Sequence, residues 1–421
     1  MKIKSLYARE ILDSRANPTV EVKIILENGV EAKAAVPSGA STGNNEALEL
    51  RDNDSERYNG KGVLVACQNI EEKICPVIRE FSIFDQQKID QAMIDLDGTK
   101  NKSTLGANAI LAVSLCVARA AAKARMIPLW EYLQEKFSLK TIDNYTFPAL
   151  MMNVINGGAH ADSGLDFQEY MFVVDGFATF SERLRVGTEL YHALGKELRQ
   201  CGFKIAVGDE GGFAPTLTSN EEPLEIMTKI INENSFTGQG NISLGMDVAA
   251  SEFFDGTNYN LSLEKENLPA VYLAKKYEQW LAKYKIRLIE DPFSENDWEN
   301  WKVFTEIHNN DLTLIGDDLL VTQKDFLLQA IKEKACNAIL IKVNQVGSLT
   351  ETMETIKLAK ENNFKIAVSH RSGETWDDFI ADLAIATQAE FVKFGAPART
   401  ERGTKYNRLA EIALELENNF L

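Results

Sequence analysis

The chain has 421 residues, more than one ordinary core needs, so two domains are expected, although a single barrel absorbs roughly 250 residues. Its 45% hydrophobic and 25% charged content excludes collagenous, low-complexity and disordered classes. Lys and Arg number 45 against 62 Asp and Glu, and a net charge of −17 repels phosphate backbones and anionic leaflets, which argues against general nucleic-acid binding.

Met1 to Asp13 mixes Lys2, Lys4, Arg9, Glu10 and Asp13, so no secretory signal is expected. Val20, Val22, Ile24 and Leu26 then alternate with Glu21, Lys23 and Glu27, Asn28-Gly29 supplies a tight turn, and Ala32, Ala34 and Val36 resume the alternation. This predicts an antiparallel hairpin. Ser38 to Gly43 is a glycine- and hydroxyl-rich stretch, read as a mobile loop, after which Glu46 to Leu50 returns to helical spacing.

Thr104 to Lys123 is small and apolar, as in a helix buried on most of its surface. Within it Ala107 to Ala122 comes nearest to a membrane span, but Asn108, Ser114 and Arg119 interrupt it, and no span is expected. Hairpin followed by helices implies an α+β N-terminal domain, placed at residues 1–138, with the boundary in the polar stretch Ser138 to Thr146 and a C-terminal domain over 139–421. The five cysteines (67, 75, 116, 201 and 336) form no CxxC pair, which suits free thiols and a cytoplasmic location.

Beyond the boundary, short apolar runs each end on a polar residue and lead into a helical stretch. Ile242–Met246 ends at Asp247, Ile286–Ile289 at Glu290, Leu312–Gly316 at Asp317, Ala338–Ile341 at Lys342, Lys365–Val368 at Ser369-His370, and Phe391-Val392 at Lys393. Repeated βα units predict an α/β fold whose parallel sheet closes into a barrel, with the active site at the strands' carboxyl ends.

Asp247, Glu290 and Asp317 would repel one another unless a cation sits between them. Any one alone reads as a solvated loop acid; three in phase read as oxygen ligands for Mg²⁺, Mn²⁺ or Ca²⁺, with Mg²⁺ the best fit. Lys342, close to those carboxylates, is placed to act as a base. Lys393 follows in the same phase, and His370, Arg371 and Ser372 bring a possible cation, a guanidinium and a hydroxyl between the lysines. That group reads as an anion clamp, with pairing to the acid trio an equal alternative for Arg371. Two glycine-rich turns, Val207 to Pro215 and Asn156 to His160 with Gln168-Glu169, carry acids; Glu210 and Glu169 fit a proton donor and the partner that tunes it, or else N-capping acids of turns.

Read together, ILDSRANPTVEV, SGASTG, GANAIL, NGGAHAD, DFQEYM, VGDEGGFAP, GMDVAASEF, IEDPF, GDDL, IKVNQVG, SHRSGET and KFGAPARTER resemble the enolase family in content and order over essentially the whole chain. The resemblance implies an α+β cap domain followed by a ββαα(βα)6 barrel. It implies the reversible dehydration of 2-phospho-D-glycerate to phosphoenolpyruvate in glycolysis and gluconeogenesis, by a hydro-lyase using two Mg²⁺ per active site. It implies Asp247, Glu290 and Asp317 on the first Mg²⁺, and Ser41 on the second with the substrate phosphate. Lys342 would take the carbon-2 proton, Lys393 would stabilise the enolate, and Glu210, assisted by Glu169, would protonate the departing hydroxyl. Gln168, His160, His370, Arg371 and Ser372 would hold substrate. It also implies a homodimer, with an octamer as the larger alternative.

The chain departs from the family pattern at Ala16, in place of Gly, where a positive φ costs about 1 kcal/mol. Trp376, Phe394 and Thr400 replace an acid, a small residue and Ser. The Trp376 side chain is expected at or near a subunit contact. Two other readings use the same fold: a binding protein without activity, which the filled catalytic positions oppose, and α-proton abstraction from another carboxylate, which the SGAST loop and the phosphate clamp oppose.

Overall fold

The computed structural model describes residues 1–39, 45–139, 145–161, 163–234 and 240–417. Strands β1 (Ile3–Leu12), β2 (Pro18–Leu26) and β3 (Glu31–Ala35) form an antiparallel sheet in that order. The predicted hairpin is β2–β3: Val22 faces Ala34 and Ile24 faces Ala32, and the turn uses Gly29 at φ +84°. The first strand was not anticipated, because its alternation is masked by charges at Lys4, Arg9 and Glu10 on a half-exposed face. Helix Ala107–Arg125 lies against this sheet, with Cys116 Sγ donating to Val22 O and Ala32 O. It is long and apolar enough to cross a membrane, but most of it is buried under β2 and β3, which is why its sequence is apolar. All five cysteines are free thiols.

Glu46 to Leu50 is not helical. Its amides are taken by distant partners: Ala47 N donates to Gln345 O, Leu48 N to Asn101 O and Leu50 N to Asn108 Oδ1. Tertiary pairing overrides a local helical preference worth only tenths of a kcal/mol per residue, on the order of 0.5.

The remaining strands are β4 (Ala149–Asn156), β5 (Glu169–Asp175), β6 (Asn241–Asp247), β7 (Asn258–Leu261), β8 (Glu266–Pro269), β9 (Ile286–Glu290), β10 (Thr313–Gly316), β11 (Ala338–Ile341), β12 (Lys365–Ser369) and β13 (Phe391–Lys393). Apart from the small β7–β8 hairpin they close a barrel in the order β10-β11-β12-β13-β4-β5-β6-β9. The sheet is not all parallel, as the βα rhythm alone predicts: β5 runs against both β4 and β6. Between β4 and β5 the described residues hold only a single turn of 3-10 helix, Gly158–His160, and not the helix that usually makes a parallel crossover.

The barrel interior is a separate apolar cluster: Ala149, Met151, Met171, Val173, Leu288, Ile315, Ala338, Leu340, Ala367 and Phe391. Side chains alternate along a strand, so the residue two places on from an interior one points the same way. Two places on from Leu288, Ile315, Leu340 and Phe391 stand Glu290, Asp317, Lys342 and Lys393, and two places before Met171 on the reversed strand stands Glu169. One period-2 pattern therefore fills the barrel with hydrocarbon and crowns it with charge.

Candidate active site

Register brings the acids together. Pairing of β5 with β6 sets Glu169 opposite Asp247, and pairing of β6 with β9 sets Asp247 opposite Glu290, so three carboxylates stand side by side at one rim. Lys393, from the end of β13, reaches into them: Nζ lies 2.9 Å from Asp247 Oδ2, 2.9 Å from both Glu290 oxygens and 3.1 Å from Glu169 Oε2. Burial works against the Lys393 charge, but Asp247, Glu169 and Glu290 outweigh it and hold the ammonium well above its ordinary pKa. Glu290 is pushed well above the carboxylate range by burial and then by Asp247, with Lys393 offsetting part of this.

Lys342 Nζ sits against Asp317 Oδ2, and Gln345 Nε2 donates to Asp317 Oδ1 at 2.9 Å. Burial presses the Lys342 pKa down, and Asp317 more than reverses it. Asp291 accepts from the amides of Asp317 and Asp318 at 2.9 Å each, fastening the loop after β10. Burial and the neighbouring Asp317 charge push Asp318 up to about 7.

The expected ligand trio is thus divided: Asp247 and Glu290 share Lys393, while Asp317 stands on Lys342. Among the described residues two groups, Asp291, Asp317 and Asp318, and His160, Glu169 and Glu210, each bring ligating atoms within 4.8 Å of one another. Eight acidic side chains line the cleft against the obligate cations Lys342, Arg371 and Lys393. Five of these acids, Glu169, Glu210, Asp247, Asp291 and Asp317, are buried, and such a surplus of carboxylate oxygen is the donor chemistry of a hard divalent cation, so the residues fit Mg²⁺.

Facing the lysines is a second acid pair. Glu169 is the first residue of β5, not part of a turn, and Glu210 is buried in the loop Gly208 to Gly212. Asn153 Nδ2 donates to Glu210 Oε2 at 2.9 Å, and His160 Nδ1 lies 3.4 Å from Glu169 Oε1 and 3.6 Å from Glu210 Oε1. The environment separates the two acids. Glu169 is pushed up to about 7 by burial and by Glu210, whereas for Glu210 the burial penalty is overcome by His160, His370 and Arg402, which hold it well below the ordinary range. Of this pair Glu169 is therefore the member that keeps a proton to the higher pH, the reverse of a simple assignment of the proton to Glu210.

His370 is not the cation its sequence position suggests. Burial, and then the adjacent Arg402 guanidinium set against Glu210, leave it at about 4, so the ring is neutral. The Arg371 guanidinium takes Glu46, not a member of the acid trio, in a two-pronged pair at 2.9 and 3.2 Å and also donates to Asn344 Oδ1. Gln168 Nε2 donates to Asp247 Oδ2 at 3.2 Å, and Ser372 lines the same cleft. Ser41 lies outside the described residues.

Sequence reasoning missed Glu46, Asn153, Gln345 and Arg402, and the second acids of the doublets Glu290-Asp291 and Asp317-Asp318. The doublets were visible signals, since the second acid of each also follows an apolar strand. Arg402, in helix Thr400–Glu417, carries no local mark distinguishing it from a surface arginine, yet it is fully buried.

Comparison with known proteins gives a consistent result. The family descriptions "Enolase, N-terminal domain" and "Enolase, C-terminal TIM barrel domain" match residues 3–133 and 144–420. The curated enolase of Helicobacter hepaticus is 48% identical over 417 residues, 99% of this chain and 97% of that protein. The enolase of a Nitratiruptor species is 48% identical over 414 residues, covering 98% of this chain and 97% of that protein.

Proposed function

The chain belongs to the enolase family, and from that premise we propose that it catalyses the glycolytic interconversion of 2-phospho-D-glycerate with phosphoenolpyruvate and water through the strand-end residues described above. The observation that supports this most directly is that one cleft holds two lysines, Lys342 and Lys393, together with a carboxyl pair, Glu169 and Glu210, whose pKa values are pushed apart. Dehydration needs a base at carbon 2 and an acid at the departing hydroxyl.

Lys342 removes the carbon-2 proton. Its contact with Asp317 favours the ammonium, so the free amine arises when other charge draws Asp317 away. Asp247, Glu290 and Asp317 would hold one Mg²⁺ and Ser41 would help hold a second, supplying positive charge that stabilises the substrate carboxylate as it becomes an enolate. Lys393 adds its own charge there. A proton α to a carboxylate is very weakly acidic, and charge stabilised only along the reaction path lowers that barrier.

Glu210 and Glu169 act as one titrating unit: Glu169 stores the proton, and Glu210 meets the departing hydroxyl. His160 stands between them. Arg371, Ser372, His370, Gln168 and His160 hold the phosphate and carboxylate ends, with Arg371 exchanging Glu46 for substrate. The division at residue 138, a cytoplasmic location and a homodimer, with an octamer as the larger form, belong to the same proposal.

A coupled absorbance assay for phosphoenolpyruvate from 2-phosphoglycerate tests it. Activity should vanish in excess EDTA and return with Mg²⁺. Full turnover in EDTA would refute the metal assignment, and no turnover with Mg²⁺ would leave a fold without the activity.

A further inference from the structure

Arg402 is fully buried and none of the catalytic steps above uses it. It projects from helix Thr400–Glu417 into the space between the two loops that carry Glu210 and His370. Nη1 donates to Arg371 O at 2.6 Å, and Nη2 donates to Ser372 O at 2.5 Å and to Asp209 O at 3.1 Å. Nη1 also lies 2.7 Å from His370 Nδ1. A guanidinium has donors only and keeps its charge, so at that distance His370 Nδ1 must be the lone-pair nitrogen and the ring proton must be on Nε2. Nε2 is buried, has no well-aligned hydrogen-bond partner among the described residues, and faces Glu210 Oε2 at 3.3 Å. Space for the arrangement comes from Gly395: at φ +85° a Cβ there would meet Glu210 O at 2.8 Å, His370 Cε1 at 2.9 Å and Arg402 Cδ at 3.1 Å.

We infer that Arg402 is a positioning residue for the proton-donor side of the reaction: it fixes the Nε2–H tautomer of His370 so that this N–H is aimed at the Glu210 carboxylate. The other tautomer would turn a lone pair toward a carboxylate, repelling it and leaving Asn153 Nδ2 as the donor that holds Glu210 Oε2. The carbonyls of Arg371 and Ser372, left without Arg402, would attract an Nδ1 proton and favour that wrong tautomer. This inference rests on the proposed role of Glu210, and its test separates the two.

The chain has four histidines, His160, His192, His308 and His370, so a long-range ¹H–¹⁵N imidazole spectrum of ¹⁵N-histidine-labelled full-length protein resolves them, His370 being assigned by its loss in His370→Gln. Wild-type protein near neutral pH should show His370 as the Nε2–H tautomer; an Nδ1–H signal overturns the inference with no Arg402 variant needed. In Arg402→Met the signal should move toward Nδ1–H, and kcat for dehydration should fall by about 100-fold or more, while KM and deuterium exchange at carbon 2 change by less than about tenfold. Arg402→Lys, which still offers a donor to Nδ1, should keep the Nε2–H signal and recover at least about tenfold of the lost kcat. An unchanged tautomer in Arg402→Met, or equal losses of exchange and dehydration, would show a merely structural arginine. If instead the tautomers behave as stated but Glu210→Gln dehydrates normally, it is the role of Glu210 that fails.

Discussion

Lys342 and Glu210 take opposite tasks, and the surroundings of each set its resting charge. Lys342 is set among acids and Glu210 among imidazoles and a guanidinium, so each is charged at rest and each must change state during turnover. Lys342→Ala should therefore lose deuterium exchange at carbon 2 together with dehydration, whereas Glu210→Gln should lose dehydration by about 100-fold or more and exchange far less. Equal losses of both in each variant would sink the division of labour. The departures from the family pattern lie off the cleft lining. Ala16 adopts φ 59°, so the cost of about 1 kcal/mol expected for a non-glycine there applies, held in place by Asp13, whose Oδ1 accepts from Arg15 N and Asn17 N. Phe394, the residue after Lys393, falls on the outer side of the barrel and packs edge-on against Tyr406 at 5.7 Å, and Thr400 opens the last helix.

At the scale of elements, helix Leu349–Glu361 is begun by its own cap, Ser348, together with residues from far away in the chain. Its first amides would be orphans. Leu349 N donates to Ser114 Oγ at 3.0 Å, Thr350 N to Asp90 Oδ2 at 3.0 Å, and Glu351 N to Ser348 Oγ at 3.3 Å. Asp90 is fully buried and also accepts from Gln86 Nε2, which in turn reaches Ser114. This polar seam pins the N-terminal part of the chain to the helix that follows Lys342 and Gln345. Asp90→Asn keeps the volume but loses the charge on the helix end and one acceptor; it should cost about 1–2 kcal/mol of stability, read as a lower urea midpoint at unchanged m. A midpoint equal to wild type would mean the seam contributes nothing net.

For the whole molecule, the exposed apolar groups that folding leaves behind bear on assembly. Trp376 is 44% exposed, lies outside the cleft lining, and has the Arg119 guanidinium 6.0 Å from its ring centroid, while Arg119 also grips Asp377 and Asp378. Asp377 Oδ1 accepts from Phe379 N, so the helix start is capped without an acid at 376. A large ring braced by a cation at the surface is suited to anchor a partner. Trp376→Glu should shift the dimer dissociation constant while kcat of the assembled enzyme stays within about tenfold, a barrier change of about 1.4 kcal/mol. Analytical ultracentrifugation beside steady-state kinetics decides it, an unchanged assembly with a much larger fall in kcat being the adverse result.

What the sequence determined by itself was the phase of each strand. An apolar run ending in Asp247, Glu290, Asp317, Lys342 or Lys393 forces that last side chain to the barrel mouth, because alternation is a local property of extended backbone. The hairpin at Asn28-Gly29 and the buried helix after Gly106 were legible for the same reason, since turn chemistry and composition act over a few residues. Strand direction was not legible in β5: a period-2 pattern reads the same forwards and backwards, and only closure of the barrel decides which end of Glu169–Asp175 is up. Nor was the pairing of charges. Whether Lys393 meets Glu290 and whether Arg371 meets Glu46 depend on groups more than a hundred residues apart, and whether His370 is neutral depends on its burial and on Arg402 set against Glu210, so in a dry interior the surroundings, not the residue type, set each protonation state. The tertiary structure alone brought Arg402 to His370, and with it the tautomer.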